Sequence, residues 1–186
     1  MKHCTSQFLL TGLLFLTLWT EAAPGFGLGT EASVEEVAAW DIDVRPDGMG
    51  LPADKGGNAI QGRIVYQQHC QHCHGDNGLG GPYDRLVGRL EKDSFPFAKK
   101  DPPEKTIGNY WPWATTVFDY IRRSMPYTTP GSLTDNEVYS LTAYLLYANG
   151  IIPEGMTLDA SNLATIEMPA RHRFIPDNRT ETHTVR

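Results

Sequence analysis

Cysteine is scarce in this chain of 186 residues: there are three, Cys4, Cys70 and Cys73. A tetrahedral zinc site takes four ligands, usually from a second C-x-x-C or a well-separated His pair, and no second cysteine pair exists. Excess positive charge is also missing. Sixteen Lys and Arg stand against 22 Asp and Glu, for a net charge of −6 and a pI near 5.4. Nucleic-acid binding is not indicated by such a balance. Long apolar runs are absent apart from Phe8 to Trp19, which is too short for an ordinary transmembrane helix. No βαβ pattern surrounds the cysteine pair, which argues against a thioredoxin-like redox motif. A local disulfide across two residues stays open. With 40% hydrophobic residues the composition is that of an ordinary soluble protein, long enough for one domain plus extensions. Gly (18) and Pro (13) are plentiful and point to long irregular segments.

What is present is Cys70-Gln71-His72-Cys73-His74, the pattern C-x-x-C-H. Two thiols three positions apart on one helical turn can each add to a vinyl group at one edge of a haem. The histidine that follows is then carried under the iron, as its proximal ligand. The expected cofactor is therefore one covalent haem c, with Cys70 and Cys73 as thioether anchors and His74 on the metal. Such a group would also help to organise the irregular segments.

The start of the chain fits an exported protein. Lys2 and His3 precede the apolar run, and Ala22, Ala23 and Pro24 follow it, the layout of a secretory signal peptide over residues 1–23. Retention of the run as a membrane anchor is the alternative. Cys4 lies ahead of the run and so cannot be a lipid-bearing cysteine. Haem c is attached after translocation, so export and C-x-x-C-H support each other; the expected compartment is the periplasm, with no span left after signal removal.

Residues 24–57 read as an irregular extension with one helix-like patch at Ser33 to Trp40. Trp40, Ile42 and Val44 alternate with polar residues, so this stretch is either a linker or a strip laid on a partner or on the domain itself. A helix is expected from Asn58 to Cys70, with Gly62 and Tyr66 on one face and the glycine allowing another helix to cross closely. The glycine-rich Gly75–Gly88 is expected to fold over the haem face. A carbonyl near Pro82 is expected to accept from the non-ligating nitrogen of His74. Ala114 to Arg123 reads as a helix behind the aromatic run Tyr110-Trp111-Pro112-Trp113. Trp111, Trp113, Arg122 and Arg123 are candidate partners of the haem propionates, though the aromatics also suit a plain core.

Met125 precedes Pro126 in a loop, where a thioether is poorly explained as core and well explained as a sixth iron ligand. Met49, Met156, Met168, His172 and His183 compete. Position favours Met125, because Leu133 to Asn149 is the clearest helix in the chain. It has Ser132 or Thr134 to cap it, acids in its first turn, an apolar stripe through Val138, Leu141, Leu145 and Leu146, and Gly150 to end it. Residues 151–186 show little periodicity.

Asn58 to Gly150 thus resembles a class I cytochrome c, an all-α fold whose N- and C-terminal helices cross over a covalent haem, here at residues 58–150 between irregular extensions. A narrower resemblance covers most of the mature chain. WDIDVRPDGMGLP, YWPWATTVFDYIRRSMP and LTDNEVYSLTAYLLYANGIIP look like the cytochrome subunits of bacterial sulfite dehydrogenases, and like the cytochrome portion of the sulfur dehydrogenase of the thiosulfate-oxidising system. The end, MPARHRFIPDNR, departs most. The resemblance implies His74 and Met125 as axial ligands and Cys70 and Cys73 as anchors. It also implies a molybdopterin-containing dehydrogenase subunit as electron donor, with a downstream cytochrome or oxidase as acceptor and no catalysis at the haem itself. An independent soluble shuttle, and a haem enzyme acting on a sulfur compound, are the alternatives.

Overall fold

The computed structural model describes residues 28–91 and 94–175. The segment expected to be a signal peptide, with Cys4, and the tail bearing His183 lie outside the described residues. Among the described residues five α-helices and one small strand pair run in the order α1 (Val34–Trp40), β1 (Gly56–Asn58), α2 (Ala59–His69), α3 (Gln71–His74), α4 (Ala114–Ser124), α5 (Asp135–Ala148) and β2 (Thr157–Asp159). Among the described residues no helix is long and apolar enough to cross a membrane.

Side-chain caps set the helix starts. The Asn58 side chain accepts from Gln61 N–H and opens α2. Thr134, rather than Ser132, opens α5 in a reciprocal pairing with Glu137. Each such cap is worth about 1 kcal/mol. The Glu137 carboxyl is held below its ordinary value, first by the Thr134 N–H and then by the Thr134 hydroxyl.

The expected crossing of α2 on α5 occurs at Gly62. A Cβ there would collide with the Ser140 carbonyl and come 2.7 Å from Tyr144 Cβ. Only glycine lets the two backbones approach so closely. Around the crossing, Tyr66 and Tyr144 pack with ring centroids 5.2 Å apart, and Phe118 of α4 meets Tyr139 of α5 at 4.5 Å.

Both extensions belong to this core. Val44 is buried, as are Leu158, Leu163 and Met168 from the C-terminal extension. Burial of such side chains contributes roughly 1.5–3 kcal/mol each, so the extensions carry a substantial share of the stability. β1 and β2 join them, antiparallel, with Gly56 opposite Asp159 and Asn58 opposite Thr157. The alternating strip therefore divides: Val44 is buried in the protein's own core, whereas Trp40 is 86% exposed. All of α1 is exposed, with Val34 and Val37 beside Trp40 on its outer surface.

Candidate haem site

Cys70 ends α2 and begins α3, so the first anchor sits at the junction of the two helices. Its carbonyl accepts from both Cys73 N–H (3.1 Å) and His74 N–H (2.9 Å), which winds the three residues into one turn. The two thiols are unbridged and half-buried. Burial, reinforced by Cys73, pushes the Cys70 thiol up to about 12. No cluster of three His, Cys, Asp or Glu suited to a metal ion occurs among the described residues.

The glycine-rich loop folds back under this turn. Gly75 has φ +75°, and the loop returns so that Gly80 N–H reaches His74 O (3.0 Å) and Tyr83 N–H reaches Cys73 O (3.0 Å). The Tyr66 hydroxyl donates to Gly75 O at 2.8 Å and ties the loop to α2. Asn149, at the end of α5 and buried, accepts from Gly88 N–H (2.9 Å) and donates to Leu86 O (3.3 Å). These bonds hold the strand of loop that carries Asp84.

The Nδ1 of His74 lies 2.7 Å from the Asp84 carbonyl oxygen. A carbonyl oxygen only accepts, so Nδ1 carries the proton and Nε2 keeps its lone pair. The acceptor is thus the carbonyl of Asp84, two residues beyond Pro82. That is the neighbourhood in which the carbonyl acceptor is expected, near Pro82. A backbone carbonyl has no side-chain signature, which is why residue types alone point only to the neighbourhood.

Met125 caps α4, its N–H bonded to Ile121 O at 3.1 Å, and packs half-buried against the core. The competing ligands have other surroundings. Met168 is fully inside the core, Met49 is exposed beside Arg45, and His172 pairs with Glu167 on the surface. Met156 packs half-buried on the core.

The propionate candidates each have partners within the protein. Arg122 donates to Asp135 (3.0 Å) and to the Ile42 carbonyl (2.9 Å), and Arg123 grips Asp119 with two nitrogens. Asp119 in turn accepts from Val44 N–H at 2.8 Å. Burial pushes the Asp119 carboxyl up, but the bonds from Arg123 and Val44 outweigh it and hold the group below its ordinary value. Both arginines therefore fasten the segment around Ile42–Val44 to α4 and α5. Trp113 lies under the Arg171 guanidinium, 3.3 Å from the ring centroid, and Trp111 meets Tyr120 edge-on at 5.8 Å. Trp113 joins the C-terminal extension to the start of α4. Trp111 is half-buried on the core together with Cys70, Leu86 and Met125.

The donor set fits a covalently held haem: two unbridged thiols on one turn, an imidazole with Nδ1 braced, and a thioether on an apolar border. Fold and site together define a class I c-type cytochrome. Comparison with known proteins agrees. Residues 57–145 match the family model described as cytochrome c oxidase, cbb3-type, subunit III. Among solved structures, a chain of the sulfane dehydrogenase SoxCD from Paracoccus pantotrophus superposes with a TM-score of 0.71. It is 37% identical, over 83% of this chain and 73% of that chain. Curated protein sequences give no match. The chain belongs to the c-type cytochromes, in the family of that SoxCD chain, and it is an electron-transfer protein that carries haem c.

Proposed function

We propose that the protein is the single-haem electron-transfer subunit of a periplasmic sulfur-compound dehydrogenase, accepting electrons from a molybdopterin-containing subunit and releasing them to a downstream cytochrome or oxidase. Haem c, when bound, supplies one-electron exchange between ferric and ferrous iron. His74, through Nε2, and Met125, through Sδ, would ligate the iron, and Cys70 and Cys73 would hold the porphyrin covalently. With His74 and Met125 both given to the iron, the chain would exchange electrons without binding a substrate there. The chain's task is to hold the ligands still, so that little rearrangement accompanies each transfer.

The observation that carries this reading is the likeness to SoxCD, at 37% identity over 83% of the chain, well beyond the cytochrome core. The exposed apolar face of α1 supports it. Ser33 and Glu36 cap α1 reciprocally, so the helix is well started, yet it buries none of its residues. Seven residues form a marginal helix in water, and a partner surface would stabilise this one.

One observation favours the free shuttle instead. Val44, Leu158, Leu163 and Met168 stabilise the protein's own fold, so most of the extensions need no partner to explain them. Capture of the tagged mature protein from its native periplasm, with molybdenum and haem analysis, separates the two. Molybdenum in fixed ratio to haem, and haem reduction on adding sulfite or a sulfane donor, is the expected result. Haem alone, with no reduction, would leave the shuttle.

A further inference from the structure

The peptide group joining Asp84 to Arg85 is hydrogen-bonded at both ends. Its oxygen accepts the Nδ1 proton of His74 at 2.7 Å. Its N–H donates to Glu104 Oε1, also at 2.7 Å. A peptide is a single resonance unit, and its charge-separated form places negative charge on oxygen and positive charge at the N–H. A carboxylate at the N–H end favours that form and makes the oxygen a stronger acceptor.

Glu104 is well held for this role. Its own carbonyl accepts from Asn109 Nδ2 at 3.0 Å, and Asn109 Oδ1 accepts from Thr106 N–H at 2.7 Å. Thr106 and Asn109 are buried, and the Thr106 hydroxyl donates to Gly88 O at 2.7 Å. The turn is therefore bolted to the same loop it braces. The Arg85 guanidinium is directed to Leu79 O at 3.1 Å.

We propose that Glu104 is a positioning residue for His74, acting through the Asp84–Arg85 peptide to set the electron affinity of the site. The inference rests on His74 being the proximal ligand. A stronger acceptor at Nδ1 gives the imidazole more imidazolate character and makes Nε2 a better donor, which favours the oxidised iron. The Glu104 side chain is solvent-exposed, so screening keeps the effect moderate.

The test uses the full holo-cytochrome and its Glu104→Gln, Glu104→Ala and Asp101→Asn variants. Glutamine keeps an acceptor for Arg85 N–H and removes only the charge, so folding is retained. Glu104→Gln is expected to shift the one-electron equilibrium about threefold to tenfold toward the reduced protein, tenfold being 59 mV. Glu104→Ala should shift it at least as far. In the ferrous, diamagnetic protein the His74 Nδ1 proton should move upfield in Glu104→Gln, as its hydrogen bond weakens. Asp101→Asn removes a like charge from the same segment and should leave that resonance in place. An unmoved Nδ1 proton in Glu104→Gln would overturn the proposal whether or not the potential changes, because a through-space charge effect does not need the peptide. Failure of the ligand reading is distinguishable: a His74→Ala protein that kept the wild-type low-spin spectrum would remove it regardless of Glu104.

Discussion

The two sides of the site are built in opposite ways. On the His74 side, one continuous stretch from Cys70 to Gly88 winds the turn, folds the glycine loop beneath it and supplies the Asp84 acceptor. On the Met125 side almost everything comes from far along the chain. Arg122 reaches Ile42 and Asp135, Asp119 holds Val44, Trp113 stacks under Arg171, and the Tyr139 hydroxyl donates to Pro52 O at 3.1 Å. A locally wound site is positioned as soon as its own segment folds. A site assembled from remote segments has the fold as its prerequisite, since loop closure costs entropy before any contact stabilises it. Damage on the first side should therefore remove the cofactor, and damage on the second should loosen the protein around it.

The largest effect is expected from Cys70→Ala/Cys73→Ala. Without thioether anchors the chain should lack a stable fold and fail to accumulate, because a domain of this size has a marginal core and haem fills its centre. Circular dichroism of the haem-free variant checks this; a cooperative thermal transition would contradict it. Met125→Ala should come next. Haem stays attached on the His74 side, but the methionine-ligated low-spin spectrum should disappear, with a stability loss of about 2–3 kcal/mol from truncating a partly buried side chain. A spectrum left intact would assign the sixth position to another residue.

Asp119→Ala should cost about 1–3 kcal/mol in urea denaturation, since it strands the Arg123 charge and the Val44 N–H together. The same carboxylate gives a pH dependence of definite sign. Its folded pKa lies below the unfolded value near 3.9, so its contribution is fully present above about pH 4 and fades as pH falls toward the folded value. The wild type should therefore lose more stability than Asp119→Ala does on acidification through that window. The smallest change is expected from Arg171→Ala. Loss of the guanidinium over Trp113 should cost about 1 kcal/mol and leave the haem spectrum unchanged, so a thermal-melt shift alone should report it.

This contrast also explains what residue types could reveal. The C-x-x-C-H turn, the capped helix after Thr134 and the glycine at the helix crossing are legible because each depends on neighbours three or four positions away, and helix geometry is periodic at that spacing. Met125 stands out as a candidate for a related reason, since it ends a helix just before a proline. The partners of Arg122 and Arg123 are not legible, because a guanidinium serves a propionate, an Asp or a carbonyl equally well, and only the folded chain shows Asp135, the Ile42 carbonyl and Asp119 beside them. The C-terminal extension shows no periodicity because its core residues enter one at a time, Leu158 from β2, Leu163 from a single helical turn and Met168 from irregular chain, not from one face of a helix. Glu104 and Asn149 carry no signal at all, as each acts on backbone groups of a segment remote in sequence.

The amino-acid sequence by itself determined the cofactor chemistry and the helical class, and it marked out the candidate ligands, because these rest on short spacings that local geometry converts directly into proximity. The tertiary structure alone decided that Asp84 braces His74 with Glu104 behind it, that the arginines fasten the N-terminal segment, and that both extensions complete the core. Those contacts join residues separated by up to 87 positions, and their geometry exists only after the chain has closed on itself.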